Sequence, residues 1–221
     1  MFEKNKKILV IVGLDDELKV LNNLPVISFA DFGAKNSKNF LKIVDKKNID
    51  HVVSFGFCGS IDQTIKSGEL VIPDKITTDD YKKRPISKEL RKFYHEKLSD
   101  YSVHKNSLYS AKKVIFSAKE KSNIKKTFHA SVIDMESKFV QEECLKLKIP
   151  FVAVRLVFDD LKFSLPQFVV KTLDEKGKPK IKDIFFSIIK KPNRLIQLIR
   201  LGIIFYDNKK KLKKIAMTLF T

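Results

Sequence analysis

Four apolar runs constrain the fold of this chain more than any other feature of its sequence. Each is rich in β-branched or aromatic residues and ends in glycine or an acid: KILVIVGLDDE, HVVSFGFCGS, ASVIDMES and FVAVRLVFDD. Continuous runs of this kind are typical of strands buried on both faces, and intervening segments such as SKFVQEECLKLK have helical periodicity. The alternation predicts an α/β fold with a largely parallel central sheet. A further strand in SGELVIPDKITTDD makes the expected sheet mixed.

Length and composition favour one globular domain over residues 1–221. Hydrophobic residues make up 43% of the chain and charged residues 32%, which is typical of a soluble protein. Cys58 and Cys144 stand apart without a CxxC or Cys/His cluster, so we expect no zinc site, no disulfide and a reducing cytoplasmic setting. The opening MFEKNKKILVIVGLDDE meets three acids instead of a small-residue cleavage site, and it predicts a first strand rather than a signal peptide.

The strong positive charge does not predict nucleic-acid binding. The formal net charge is +18, yet the 44 basic residues include only five arginines. Base recognition and bidentate phosphate contacts favour arginine over lysine. We therefore assign the lysine excess to solvated faces and expect no nucleic-acid partner.

The region 163–221 differs from the rest of the chain because it mixes apolar runs with basic residues. Its run KDIFFSIIKKPNRLIQLIRLGIIFYDNKKKLKKIAMTLF predicts helices, and no apolar run reaches the roughly 18 to 20 residues that span a bilayer. Two interpretations stay open for this basic, apolar helical region. Its helices complete the core against the sheet, or they present a surface to a membrane or to another subunit.

Acids follow three of the predicted strands, where the carboxyl ends of parallel strands meet at one edge of a sheet. An acid in this position is often only a helix N-cap, and an isolated glycine is often only a turn residue. Three carboxylates beside a glycine-rich turn together indicate cleavage of a glycosidic bond. One acid would protonate the leaving group, a second would hold sugar hydroxyls and a third would activate water.

Three motifs resemble those of the superfamily of nucleoside phosphorylases and methylthioadenosine/S-adenosylhomocysteine nucleosidases. VIDMESKFVQEECLKLKIPFVAVRLVFDD has its Met-Glu pair and R-x-x-x-D motif, SFGFCGSIDQTIKSGELVIP its glycine-rich turn, and VIVGLDDELKVL its first strand and acidic loop. SAKEKSNI and LPQF with KKPNRLIQLIRLG are most similar to the hopanoid-associated branch, which acts on adenosylhopane. The resemblance implies three α/β/α layers, an adenosine-type substrate, no cofactor or metal, and a homo-oligomer.

The resemblance also assigns roles to individual residues. Glu136 matches the glutamate that accepts hydrogen bonds from the ribose 2′ and 3′ hydroxyls, and Met135 matches the methionine that packs on the sugar. Asp159 matches the acid that protonates purine N7. Glu17 matches the acid that orients the attacking water, after a one-residue gap. Asp134 is assigned a structural role.

The remaining site residues are implied by the same alignment of motifs. The turn that faces the ribose or an anion contains Phe57, Cys58 and Gly59. Val114, followed by Ile115, stands where the nucleosidases have a purine-stacking phenylalanine, and Phe158 replaces a small residue before the general acid. These departures predict an altered base pocket.

The sequence leaves two candidates for the nucleophile, water and phosphate. Bacterial phosphorylases of this superfamily place an arginine just before the glycine-rich turn, where this chain has Ser54 and Phe55. Without that arginine we favour water. A phosphorylase that binds inorganic phosphate through backbone amides stays open, as does a nucleoside-binding protein without turnover.

Overall fold

A computed structural model describes residues 7–30, 44, 47–82, 84–115, 118–161, 166–172 and 180–221. Within these residues the strands are β1 Ile8–Val12, β2 Ile27–Ala30, β3 His51–Ser60, β4 Leu70–Val71, β5 Lys75–Thr77, β6 Arg84–Pro85, β7 Val103–His104, β8 Leu108–Ser110, β9 Val132–Asp134 and β10 Phe151–Asp159. The helices are α1 Asp15–Val20, α2 Lys88–Lys97, α3 Ala118–Phe128, α4 Ser137–Lys146, α5 Gln167–Val170, α6 Ile181–Lys190 and α7 Arg194–Phe220.

The four apolar runs form strands β1, β3, β9 and β10, as predicted. β3 and β10 pair in parallel along almost their whole length and form the centre of the sheet. β10 is buried from Phe151 to Phe158, since helices cover the sheet and leave neither face of this strand in water. The strand order is β6-β5-β8-β9-β3-β10-β4-β7, and β1 joins β3 and β2.

The sheet is mixed and largely parallel. Six of the nine strand pairings in the described residues are parallel, and three are antiparallel. The predicted α/β class is therefore confirmed. β3 changes partner along its length, because β1 pairs with its first residues up to Ser54 and β9 pairs with Gly59 and Ser60.

The glycine-rich segment predicted to be a turn is instead part of β3. This strand continues through Gly56 and Gly59 to Ser60 and keeps its pairing with β10. Gly56 has φ of +146°, a conformation that L side chains rarely adopt. Glycine serves here within a strand, where a carboxylate approaches the backbone closely.

The last helix, α7, has two halves with different surroundings. In its C-terminal half, Leu212, Ile215, Leu219 and Phe220 are buried in the core that covers the sheet. The Phe220 ring packs edge-on against Phe55, with 5.7 Å between ring centroids. No helix in the described part of the chain is long and apolar enough to cross a membrane.

We expect Leu212→Ala to lower the free energy of unfolding by about 2–5 kcal/mol, because the change leaves a cavity under α7. Met217→Ala, on the exposed side of the same helix, should change it by only about 0.5 kcal/mol. Denaturant titrations of both variants measure the difference. Equal, small effects would show that α7 does not belong to the cooperatively folded core.

Candidate active site

The ends of β3, β9 and β10 border one cavity of about 490 Å³. It brings together nine of the ten side chains or glycines predicted for the site: Phe57, Cys58, Gly59, Val114, Ile115, Met135, Glu136, Phe158 and Asp159. The tenth, Glu17, is buried and does not line this cavity. The residues of β3 and β10 lie at the carboxyl ends of two parallel strands, whereas Met135 and Glu136 follow β9, which pairs antiparallel with the end of β3.

Arg155 lies beneath the acids at the end of the cavity where the ribose is predicted to bind, which we call the ribose end. Its Nη2 atom lies 2.6 Å from Asp134 Oδ2 and 3.7 Å from Glu136 Oε2, and it donates to the hydroxyls of Ser54 and Ser137. Asp134 also accepts a hydrogen bond from the Ser137 N–H at the start of α4. Asp134 is therefore held by structural contacts through its Oδ2 atom, and both Asp134 and Glu136 border the cavity.

Glu17 is held by backbone amides. Its Oε2 accepts from the N–H groups of Gly13 and Leu14 at 2.8 and 2.9 Å, and its Oε1 accepts from Phe57 N–H at 2.6 Å. The Phe57 amide, which the sequence assigned to ribose or an anion, is thus bound to Glu17. Oε2 thus accepts two hydrogen bonds and Oε1 accepts one, so Oε1 keeps one further acceptor position.

Each of the three predicted carboxylates lies against a glycine. A Cβ atom at Gly13 would be 2.6 Å from Glu136 Oε1, and one at Gly59 would be 2.8 Å from Asp159 Oδ1. A Cβ atom at Gly56 would overlap the Glu17 carboxylate. The glycines are therefore required by the close approach of these acids rather than by a turn.

Burial favours the protonated form of two carboxyl groups that line the cavity, Glu136 and Asp159. Burial raises the pKa of Glu136 to about 8, the Arg155 guanidinium opposes the rise, and the carboxylates of Asp134 and Glu17 add to it. Burial also raises the pKa of Asp159 above its usual value, against the charge of Lys121. An acid whose pKa is raised in a cavity can carry a proton at neutral pH and deliver it to a bound group.

A bulge at the end of β10 presents Asp159 to the cavity. The register with β3 shifts between Val157 and Asp159, so Phe158 is an extra residue and both Phe158 and Asp159 line the wall. The next acid, Asp160, is buried and accepts a hydrogen bond from the Ser67 N–H at 3.0 Å. Asp159 rather than Asp160 is therefore the acid that the structure places in the cavity.

Lys121 is a site residue that the sequence analysis did not identify. It lies on α3, its side chain is only 7% exposed, and its Nζ atom is 3.4 Å from Asp159 Oδ2. A buried ammonium group beside an acid stabilises the carboxylate that remains after the proton has left. One lysine in a lysine-rich chain has no distinguishing pattern, although its position in SAKEKSNI was part of the resemblance.

The C-terminal helices supply an apolar wall that the site prediction also lacked. Val169 and Val170 of α5, Ile184 of α6 and Leu198, Leu201 and Phe205 of α7 line the cavity. The Phe205 ring lies 6.0 Å from Phe158 and 6.2 Å from Phe57. One end of the cavity is therefore acidic, and the other is aliphatic and aromatic.

Among the described residues, no group of three His, Cys, Asp or Glu side chains could hold a metal ion. Both cysteines are buried and free. Burial raises the pKa of the Cys58 thiol well above its usual value, and this favours the neutral thiol.

Comparisons with solved structures show the same fold in nucleosidases. The 5′-methylthioadenosine/S-adenosylhomocysteine nucleosidase of Helicobacter pylori superposes with a TM-score of 0.70 at 14% identity, covering 97% of this chain and 96% of that one. The futalosine hydrolase of Helicobacter pylori gives a TM-score of 0.64 at 15% identity, covering 73% of this chain and 90% of that one. These likenesses confirm the predicted nucleoside phosphorylase type of sheet and helices.

Sequence comparisons agree with this fold. A 5′-methylthioadenosine/S-adenosylhomocysteine nucleosidase of Staphylococcus aureus is 24% identical over an alignment of 136 residues, which covers 53% of this chain. The chain spans 60% of the length of that relative. The family model described as the Phosphorylase superfamily matches residues 32–178. The chain therefore belongs to the Phosphorylase superfamily.

Proposed function

We propose that this chain cleaves the N-ribosyl bond of a 5′-substituted adenosine and releases adenine, with water as the nucleophile. The observation that carries the proposal is the placement of Glu136 and Asp159 in one cavity, both with a raised pKa. The Helicobacter pylori nucleosidase that shares the fold has been solved with 5′-methylthioadenosine in the active site of a variant. This supports an adenosine-type substrate here.

In the proposed reaction the bond between ribose C1′ and purine N9 breaks. The Asp159 carboxyl gives its proton to purine N7, so that adenine leaves as a neutral molecule, and a water oriented by Glu17 adds to C1′ and gives its proton to the Glu17 carboxylate. Lys121 then stabilises the Asp159 carboxylate. Glu136 accepts hydrogen bonds from the 2′ and 3′ hydroxyls, and these bonds together with the Arg155 guanidinium favour its ionised form when substrate is bound. The carboxylate then opposes the positive charge that develops on the ribosyl ring.

The surroundings of the ribose end favour water over phosphate. Arg155 is a buried cation at this end, but its side chain is only 1% exposed and its Nη2 atom is engaged by Asp134, Ser54 and Ser137. A phosphate dianion would lie beside Glu136 and Glu17, which repel it whenever these carboxyl groups are ionised. Phosphorolysis would need phosphate to bind through backbone amides, and the Phe57 amide is taken by Glu17.

The apolar end of the cavity supports a large apolar 5′ substituent. The side chains of α5, α6 and α7 at this end are almost all aliphatic or aromatic. This fits the hopanoid-associated branch, and we propose adenosylhopane as the natural substrate. The enzyme would act as a homo-oligomer in the cytoplasm, in contact with the membrane surface.

Incubation with 5′-methylthioadenosine and with 5′-alkylthioadenosines of increasing chain length tests the reaction. We expect adenine and a free 5-alkylthioribose, with one oxygen from ¹⁸O-labelled water at C1′, and rates that rise with alkyl length. A sugar 1-phosphate formed only with phosphate present would identify a phosphorylase. Binding of every nucleoside without release of adenine would identify a non-catalytic protein.

Asp159→Asn should lower turnover by about a hundredfold or more while nucleoside binding persists, because the amide cannot donate the proton to N7. Asp160→Asn is the matched control, since Asp160 bonds to the backbone at Ser67. Steady-state kinetics and equilibrium binding of both variants measure the difference. An Asp159→Asn enzyme with wild-type turnover would exclude Asp159 as the general acid.

Glu136→Gln should stabilise the fold at high pH. A carboxyl whose pKa is raised to about 8 contributes stability below its unfolded value and loses it as the pH rises toward about 8. The neutral glutamine avoids this loss. We expect the variant to melt several degrees above wild type at pH 8.5 and near it at pH 5, since about 1 kcal/mol shifts Tm by roughly 2–4 °C.

The exposed Glu96→Gln change on α2 is the control, and it should alter Tm little at either pH. A Glu136→Gln advantage that is equal at both pH values would show that ionisation of Glu136 does not cost stability. Calorimetry or dye-based melting measures both variants.

A further inference from the structure

The exposed apolar side chains of the described residues are concentrated in one segment. Seven of the eleven large ones lie between residues 186 and 206, and we call their surface the α6–α7 face: Phe186, Ile189, Leu195, Ile196, Ile199, Ile203 and Tyr206. On α7, the spacing of Ile196, Ile199, Ile203 and Tyr206 places them on one side of the helix. Large apolar patches of this kind mark an interaction surface.

Completion of the core does not explain the α6–α7 face. The side of α7 that points inward already has its own apolar residues, since Leu198, Leu201 and Phe205 line the cavity. A helix that only covers a core needs one apolar side, with polar residues opposite. The N-terminal half of α7 is apolar on both sides, whereas Met217 is the one large exposed apolar side chain in its C-terminal half.

The charge around this face identifies its partner. From residue 180 to residue 200 the segment contains six cations and one acid: Lys180, Lys182, Lys190, Lys191, Arg194, Arg200 and Asp183. The four lysines are exposed. A cation near an anionic lipid surface contributes roughly 1 kcal/mol to binding, and apolar side chains on an interfacial helix insert at the boundary of headgroups and acyl chains.

A second copy of the chain fits this face less well. A twofold symmetric contact would place the same surface of two copies together. The lysines of one α6–α7 face would then meet those of the other, and like charges repel. An anionic bilayer meets both the apolar and the basic residues with complementary chemistry.

We propose that the α6–α7 face binds peripherally to an anionic lipid bilayer. Ile196, Ile199 and Ile203 insert below the lipid phosphates, and Lys190 and Lys191 lie among these phosphates. The opposite side of the same helix lines the cavity, so the bound enzyme holds its apolar cavity wall next to the bilayer. In this arrangement a nucleoside with an apolar 5′ group enters the cavity from the membrane. This last step rests on the proposed function.

The absence of tryptophan from the chain provides a clean test. Ile203→Trp places a single fluorophore on the α6–α7 face, and Leu145→Trp places one on α4 at a position of similar exposure, 57% against 59%. With vesicles of phosphatidylglycerol and phosphatidylcholine, we expect the emission of Ile203→Trp to shift to the blue and to be quenched by brominated lipid. Leu145→Trp should show neither effect.

Charge and salt provide the second measurement. Pure phosphatidylcholine vesicles, high salt and the double variant Lys190→Gln/Lys191→Gln should each lower the vesicle partition coefficient, the double variant by roughly tenfold or more. Failure of the wild-type chain to bind anionic vesicles, or equal shifts for both tryptophan variants, would overturn the proposal.

Two further outcomes separate the related ideas. The Ile199→Asp substitution is compared with the wild-type chain for oligomeric state. If the substitution dissociates an oligomer and the wild-type chain does not bind vesicles, the face belongs to a contact with a second copy and the lipid-binding proposal is overturned. Vesicle binding requires no nucleoside. A chain that binds vesicles and releases no adenine from any nucleoside would therefore support the membrane surface and contradict the proposed function.

Discussion

The buried ion pair between Arg155 and Asp134 is the interaction on which the arrangement of the site depends. Burial of both charges is costly, and the loss of one partner typically costs about 3–5 kcal/mol because the other charge stays buried. Here the cost is offset by hydrogen bonds from Arg155 to Ser54 and Ser137, which join β10 to β3 and to α4. Since Glu136 follows Asp134 by two residues and lies 3.7 Å from the same guanidinium, the pair also fixes the acid that faces the cavity.

Three glycines are as important for the arrangement of the site as the charged groups, because each leaves the space of a Cβ atom free. Gly13, Gly56 and Gly59 allow Glu136, Glu17 and Asp159 to approach the backbone of β3 and the end of β1. This close packing removes water from the carboxyl groups and is the main reason why the pKa of Glu136 and of Asp159 is raised. Glycine therefore contributes to the acid–base properties of the cavity, because a Cβ atom at these positions would push the carboxyl groups toward solvent.

The strands could be predicted from periodicity, whereas the individual cavity residues were assigned from the resemblance of three motifs to those of the superfamily. Apolar runs specify the buried strands. Asp159 ends a strand parallel to β3, but Glu136 reaches the same cavity from β9, which is antiparallel to β3, and this pairing does not follow from the sequence pattern. Three further features could not be predicted. The extension of β3 through Gly56 depends on a backbone angle, the enclosure of Glu17 depends on amides from two segments, and the position of Lys121 depends on the tertiary packing of α3.

The last helix shows why the two interpretations of the C-terminal region do not exclude each other. Its C-terminal half is anchored by Leu212, Ile215 and Leu219, and Lys209 pairs with Asp16 on α1, beside the loop that holds Glu17. Its N-terminal half extends from this anchor over the cavity, where one side forms the wall and the other is exposed. Burial in the core thus stabilises a helix half that has little core of its own. An exposed apolar surface reduces solubility wherever it occurs. Its concentration on the outer side of the cavity wall is the observation behind the proposed membrane contact, because the same helix half borders both the cavity and the exposed surface.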